Sequence, residues 1–200
     1  MPNEDKLRVA VNGYGVIGKR VADAVARQPD MEIVGIADVA ADWRIAVAVQ
    51  RGFAIFAASD TADDVMRAAG LPVSGGLLDM LAKADVVVDA TPKAVATANI
   101  AAYRSAGLKF IVQGGEKHAA TGQSFVAEAS YLTALNRQST RVVSCNTTSI
   151  VRTLTALKQA GLLGKARGVP LRRATDPWES RHARGPVLVL HEEPAGTAPR

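Results

Sequence analysis

Leu7-Arg8-Val9-Ala10-Val11-Asn12-Gly13-Tyr14-Gly15-Val16-Ile17-Gly18 joins an apolar run to a helical one through three glycines. Leu7 to Asn12 is a short, mostly apolar strand candidate, and Lys19 to Val25 has helical spacing. The glycines between them fit the pattern GxGxxG. Alone that pattern is weak, because glycine is common in any turn. Here it follows a strand, opens a helix and stands near the start of the chain. Its glycines permit a tight turn and close approach of a ligand to the backbone, and the helix start offers free N–H groups to a pyrophosphate. Gly13, Tyr14, Gly15, Val16, Ile17 and Gly18 are therefore candidate dinucleotide contacts.

Working outward, Met31 to Ala37 reads as a second strand and ends at Asp38, twenty residues past Gly18. A carboxylate at that distance suits the adenosine ribose hydroxyls and repels a 2′-phosphate, so it favours NAD over NADP. The alternative for Asp38 is an ordinary loop acid or helix cap. Asp42 to Gln50 suits a helix and Gly52 to Ala58 a strand. Asp63 to Ala69 and Leu77 to Ala84 read as short helices. Asp85 to Ala90 is a continuous, largely apolar run, as expected of a parallel strand covered on both faces. It ends at Thr91-Pro92, where proline forces Thr91 to be extended; such strand ends line a cofactor crevice. Ala94 to Ser105 is a helix, Lys109 to Gln113 a strand, Phe125 to Asn136 a helix and Arg141 to Ser144 a strand. Strands alternating with helices predict a Rossmann-type doubly wound parallel sheet. No internal repeat interrupts that alternation.

Composition sets outer bounds. Two hundred residues, 48% of them hydrophobic and 22% charged, suit one large globular domain or one domain and part of a second. No run approaches the roughly twenty apolar residues of a membrane-spanning helix, and Met1 to Lys6 is too polar for a signal peptide. One cysteine cannot form an internal disulfide, so a reducing cytoplasm is the expected compartment. The net charge of +5 is concentrated between Arg152 and Arg184. Such a cluster serves a solvated surface, small anions or nucleic acid; with Trp178 its only aromatic, it lacks the interleaved rings of a nucleic-acid groove.

The lone cysteine lies in Thr140-Arg141-Val142-Val143-Ser144-Cys145-Asn146-Thr147-Thr148. The run from Thr147 reads as a helix start, with Thr147 or Thr148 as N-cap. A thiol there sits near free N–H groups and the positive end of a helix dipole, which stabilise a thiolate nucleophile. The alternative is a buried structural cysteine. Beyond it, Thr147 to Ala160 reads as a helix, and Lys165 to Ala174 and Val187 to Leu190 as strands. One helix and two strands enclose no core. The expected organisation is thus a dinucleotide-binding domain over residues 1–144 and the start of a second, α+β domain over residues 145–200.

Val11 to Gly15, Ile17 to Val21, Gln113-Gly114-Gly115-Glu116-Lys117-His118, Thr140 to Thr148, and Arg172-Arg173 followed by Asp176-Pro177 resemble the archaeal-type (type II) phosphorylating glyceraldehyde-3-phosphate dehydrogenases. The resemblance runs from about Leu7 to Pro186. It implies an NAD- or NADP-dependent aldehyde oxidation, with Cys145 forming a thiohemiacetal and then a thioester that inorganic phosphate cleaves. Cys145 is implied as catalytic, Ser144 and Asn146 as substrate contacts, and Gly115 and Arg173 as cofactor contacts. By position alone, Arg172 and Arg173 also suit a surface pair, and His118 suits a structural role as well as a catalytic one. A small phosphorylated aldehyde and phosphate are the implied partners, with no nucleic acid, no membrane and no metal; the family is homotetrameric. Two further readings stay open: a free-standing dinucleotide-binding module without turnover, and another thiolate-dependent semialdehyde dehydrogenase. Asp38 departs from the basic or neutral residue usual in the family. The family's chains are longer, and their substrate-binding histidine pair and catalytic histidine are expected beyond Arg200; neither His182 nor His191 stands at such a position.

Overall fold

The computed structural model describes residues 6–113 and 115–169. Its strands are β1 (Leu7–Asn12), β2 (Met31–Asp38), β3 (Ile55–Ala57), β4 (Val73–Gly76), β5 (Val86–Asp89), β6 (Lys109–Val112), β7 (Ser124–Phe125) and β8 (Ser139–Val142). Its helices are α1 (Val16–Val25), α2 (Trp43–Gln50), α3 (Asp60–Ala68), α4 (Leu77–Leu81), α5 (Lys93–Ser105), α6 (Ala127–Ala134) and α7 (Cys145–Gln159). The described strands form one sheet in the order β4-β3-β2-β1-β5-β6-β8-β7, and all pairs are parallel. The chain moves outward from β1 to β4, then returns to the other side of β1 with β5. That reversal is the topological switch point at which open α/β sheets take ligands.

Side chains alternate across a strand, so each strand feeds two cores. Val11, Ile36, Ile55 and Ala57 face one cluster, completed by Ala22 of α1, Ile45 and Ala48 of α2, and Ala62 and Met66 of α3. Ala10, Ala37, Phe56 and Val87 face the other, with Met80 and Leu81 of α4 and Ile100 and Tyr103 of α5. Helices on both faces explain why the central strands read as apolar runs. Gly35 has a packing reason, since a Cβ there would collide with the Phe56 ring.

The expected alternation is present, with local departures that have physical causes. The third strand is shorter than Gly52 to Ala58, because Gly52 turns at φ +81° before Ile55. Strand β4 has no counterpart in the sequence pattern: Val73-Ser74-Gly75-Gly76 has little strand propensity and is held by pairing with β3. The expected helix Phe125 to Asn136 is interrupted at Ser130, at φ −138°. The Ser130 hydroxyl accepts the Val126 N–H at 3.0 Å, while Ser124 and Phe125 pair with β8. The last strand is shifted to Ser139–Val142. Helix α3 begins at Asp60 because the Ser59 hydroxyl accepts the Ala62 N–H at 3.2 Å.

By contacts the chain divides into a compact unit through Leu163 and a second from Gly164. Residues 165–169 carry no strand, contrary to that part of the expected Lys165 to Ala174 strand. The rest of that strand and Val187 to Leu190 lie outside the described residues. No helix among the described residues is long and apolar enough to cross a membrane.

Candidate active site

Because the strands are parallel, the loops after β1, β5, β6 and β8 emerge side by side at the carboxyl edge of the sheet. In order they are the glycine loop, the Thr91-Pro92 turn, the Gln113–His118 segment, of which Gly114 lies outside the described residues, and the Ser144-Cys145 corner. Strands are spaced about 4.8 Å apart, so three spacings put the last corner roughly 14 Å from the first. That is an appropriate span for an extended dinucleotide.

The glycine loop is built for close backbone approach. Gly13 turns at φ +90°, and its N–H donates to the Ala37 carbonyl at 2.7 Å. A Cβ on Gly18 would collide with the Gly13 carbonyl, so that position closes the turn onto the helix. Gly15 caps α1 with no side-chain acceptor, and a Cβ there would meet only open space. A helix start without a side-chain cap, reached over glycine, has room and donors for a phosphate group.

Asp38 ties this loop to the end of β2. Its carboxylate accepts the Tyr14 N–H at 2.6 Å and the Val39 and Ala40 N–H groups at 2.8 and 2.9 Å. The loop-acid reading is therefore present in the structure. A carboxylate has about four acceptor sites, which leaves capacity for a ribose hydroxyl. Just beyond it, Asp42 caps α2 through the Arg44 N–H at 2.9 Å and pairs with the Arg44 guanidinium at 2.6 Å. The hydrogen bond from the Arg44 side chain holds the Asp42 carboxyl below its ordinary range.

Thr91 and Pro92 rest on a buried polar network that sequence reasoning missed. Asp89, fully buried, accepts from the Thr91 N–H at 2.8 Å and hydroxyl at 2.6 Å through Oδ1. Through Oδ2 it accepts from Asn99 at 2.9 Å and from the Tyr103 hydroxyl at 2.6 Å. Tyr103 in turn accepts from Asn12 Nδ2 at 2.7 Å. Burial, then the Asp89 carboxylate, push the Tyr103 hydroxyl well above its ordinary range. The available signal was a carboxylate inside Val86-Val87-Val88-Asp89, since a charge in a doubly covered strand requires partners.

The cysteine corner departs from the sequence reading in its capping. Ser144, rather than Thr147 or Thr148, caps the helix: its hydroxyl accepts the Thr147 N–H at 3.2 Å and its carbonyl the Thr148 N–H at 2.8 Å. Cys145 is thereby the first residue of α7, and its thiol is exposed rather than packed in the core. Its Sγ lies 3.9 Å from Asn146 Oδ1. Among the described residues no acceptor meets the N–H of Cys145 or Asn146, so both are available to a developing oxyanion. A cleft of 790 Å³ brings Cys145 and Ser144 together with Ile17 of the glycine loop, Gly115, Thr148 and Arg152. Asn146 flanks that cleft without lining it.

The loop before this corner is pinned from β8. Arg141 donates to the Glu116 carbonyl at 2.7 Å and to Ser124 Oγ at 2.8 Å, and Ser124 Oγ also meets His118 Nδ1 at 2.9 Å. Exposed His118 is thus held in a side-chain contact. Glu116 is buried, and neither oxygen of its carboxylate has a partner among the described residues. Arg152 pairs with Glu128 at 2.7 Å. Arg172, Arg173, His182 and His191 lie outside the described residues. No cluster of three or more potential metal ligands occurs among the described residues.

A doubly wound parallel sheet, an uncapped glycine-loop helix start and an acid ending the second strand define a dinucleotide-binding domain of the Rossmann type. The chain belongs to the family described as dihydrodipicolinate reductase, N-terminus, whose model matches residues 7–147. Its sequence is similar to that of archaeal glyceraldehyde-3-phosphate dehydrogenases. It is 44% identical over 188 residues to the one from Methanothermobacter thermautotrophicus, covering 94% of this chain and 55% of that one. It is 45% identical over 194 residues to the one from Thermococcus kodakarensis, covering 97% and 56%. The chain thus spans about half the length of the curated relatives it matches. Two solved structures share the fold. Aspartate semialdehyde dehydrogenase II from Vibrio cholerae gives a TM-score of 0.52 at 13% identity, over 78% of this chain and 47% of that one. Apo scyllo-inositol dehydrogenase from Lactobacillus casei gives 0.51 at 14%, over 81% and 44%.

Proposed function

We propose that this chain carries the dinucleotide-binding part and the nucleophile of a phosphorylating glyceraldehyde-3-phosphate dehydrogenase. The observation that carries the reading is the cleft in which an exposed Cys145, at the start of α7, meets Ile17 of the glycine loop and Gly115. The similarity to the archaeal enzymes supports the substrate assignment.

In this mechanism the Cys145 sulfur bonds to the aldehyde carbon, and the carbonyl oxygen takes up the charge, facing the N–H groups of Cys145 and Asn146. The nicotinamide, when bound, supplies the acceptor for the hydride leaving that carbon. Cys145 then holds the acyl group as a thioester. A phosphate oxygen attacks the acyl carbon, the C–S bond breaks, and Cys145 leaves as the thiolate with an acyl phosphate as product. Ser144 and Asn146 contact the aldehyde. Gly13 to Gly18 receive the pyrophosphate, Asp38 the adenosine ribose, and Thr91, Pro92, Gly115 and Arg173 the rest of the cofactor. NAD is the favoured cofactor, since the Asp38 carboxylate repels a 2′-phosphate and the neighbouring Arg44 is engaged with Asp42. On this reading the substrate domain opens at Cys145, and the protein works in the cytoplasm.

The test is NADH formation from glyceraldehyde 3-phosphate, NAD and phosphate, with Cys145→Ser as control. Absorbance at the reduced-nicotinamide band that the variant loses supports the enzyme. NAD binding without NADH formation leaves the second reading, a dinucleotide-binding module, which the compactness of the unit through Leu163 favours.

A further inference from the structure

We infer that Asn12, Asp89 and Tyr103 are positioning residues: their buried hydrogen-bond chain fixes the Thr91-Pro92 turn against Gly13 and so shapes the crevice for the nicotinamide-ribose half of the dinucleotide. This rests on the dinucleotide reading above and assigns a role to residues that lie outside the cysteine chemistry.

Register makes the first argument. Strands β1 and β5 pair as Val9 with Val86, Ala10 with Val87, Val11 with Val88 and Asn12 with Asp89. Three apolar rungs are followed by one polar rung, at the step where both strands pass into their loops. Asn12 is 1% exposed, and Asp89 and Tyr103 are fully buried. Burying such groups costs desolvation, and apolar side chains of similar size would serve the core at least as well. Core packing therefore does not explain them.

Asp89 is divided between two elements. One oxygen takes the N–H and hydroxyl of Thr91, and the other takes Asn99 and Tyr103 of α5. Tyr103 extends the chain to Asn12, the residue before Gly13. The Ala90 N–H donates to the Asn12 carbonyl at 2.7 Å. A Cβ on Gly13 would stand 3.0 Å from the Thr91 N and Cγ2 atoms, so the two loops touch. A shift of Thr91 is thus transmitted to the loop that carries the pyrophosphate, while a hydroxyl on α5 decides where Thr91 rests.

The test uses the full chain with Tyr103→Phe, Thr91→Val and the double variant, reading the NAD dissociation constant by calorimetry and Tm in parallel. Binding of NAD by the parent chain is the precondition; its absence sinks the dinucleotide reading itself and is thereby told apart from failure of this proposal. Each single change is expected to raise Kd about tenfold, and the double change to raise it no further, because both cut one chain of bonds. Thr91→Ser keeps the hydroxyl that Asp89 accepts and is expected to recover most of the affinity. A lowered Tm with unchanged Kd, or fully additive losses in the double variant, overturns the proposal. If Tyr103→Phe fails to fold, the Thr91→Val and Thr91→Ser pair decides: equal Kd values for the two overturn it.

Discussion

On the glycine-loop side of the sheet, β1 ends in four consecutive buried residues, and each of α1, α2 and α3 buries at least two. On the cysteine side, all four residues of β8 are half-buried and α7 buries none of its fifteen. The first region is held by packing of apolar side chains from two layers of helices. The second is held largely by hydrogen bonds: Ser144 capping α7, Arg141 pinning Glu116 and Ser124. A region closed by packing presents backbone to a ligand from a fixed position. A region held by polar ties at an exposed helix start presents a thiol side chain to solvent. Substitutions should accordingly cost stability in the first and chemistry in the second.

The largest effect tests that division directly. Cys145→Ser is expected to reduce NADH formation by about 10⁴-fold or more, since the proposed nucleophile is removed, with Tm and NAD affinity kept. Residual turnover near the parent rate would break the assignment. Alkylation gives a second readout of the same corner: the exposed thiol is expected to take one equivalent of iodoacetamide in the folded chain, more slowly with NAD in the shared cleft.

Next, Phe56→Ala should destabilise by about 3–5 kcal/mol, as for other buried aromatic truncations, because its ring is fully buried between β3 and α4. The matching change on the cysteine side, Leu157→Ala on α7, where the residue is 39% exposed, should cost less than about 1 kcal/mol in chemical denaturation. Similar losses at both positions would erase the contrast.

Gly18→Val should raise the NAD dissociation constant by about 10²-fold, through the clash with the Gly13 carbonyl. Asp38→Asn should narrow the preference for NAD over NADP; an unchanged ratio in competition binding removes Asp38 from cofactor selection.

The smallest effect concerns acid. Hydrogen bonds from the Arg8 side chain and backbone lower the Asp85 carboxyl, as Arg44 lowers that of Asp42. A carboxyl lowered by folding lends stability that is complete above the unfolded value near 4 and fades as pH falls through the folded value. Asp85→Asn should therefore flatten the acid limb of Tm against pH by about a degree, the pair being exposed and screened. A steeper acid limb in the variant would reverse that sign.

Much of the architecture was legible in the sequence because it follows from local periodicity. Runs such as Val9-Ala10-Val11 and Val86-Val87-Val88, broken by glycine and helical spacing, declare a parallel sheet covered on both faces. The glycine loop, Asp38 and the cysteine corner were legible because their residue types and spacings are unusual together. What stayed hidden depends on partners distant in sequence. Strand β4 exists because β3 accepts it, though Ser74-Gly75-Gly76 argues for a loop. The cap of α7 fell to Ser144 because a helix begins where a side-chain acceptor and the incoming strand together allow it, and three neighbouring residues offered hydroxyls.

Periodicity, turn chemistry and a single thiol are properties of the chain alone, so the class of fold, the direction of the sheet and the one candidate nucleophile could be read without coordinates. Folding alone brings Asn12, Asp89 and Tyr103, up to 91 residues apart, into one buried chain under the crevice. It also ties the Asp38 carboxylate to the loop through the Tyr14, Val39 and Ala40 N–H groups. Both arise from burial: a polar group taken out of water must find its partners wherever the fold brings them.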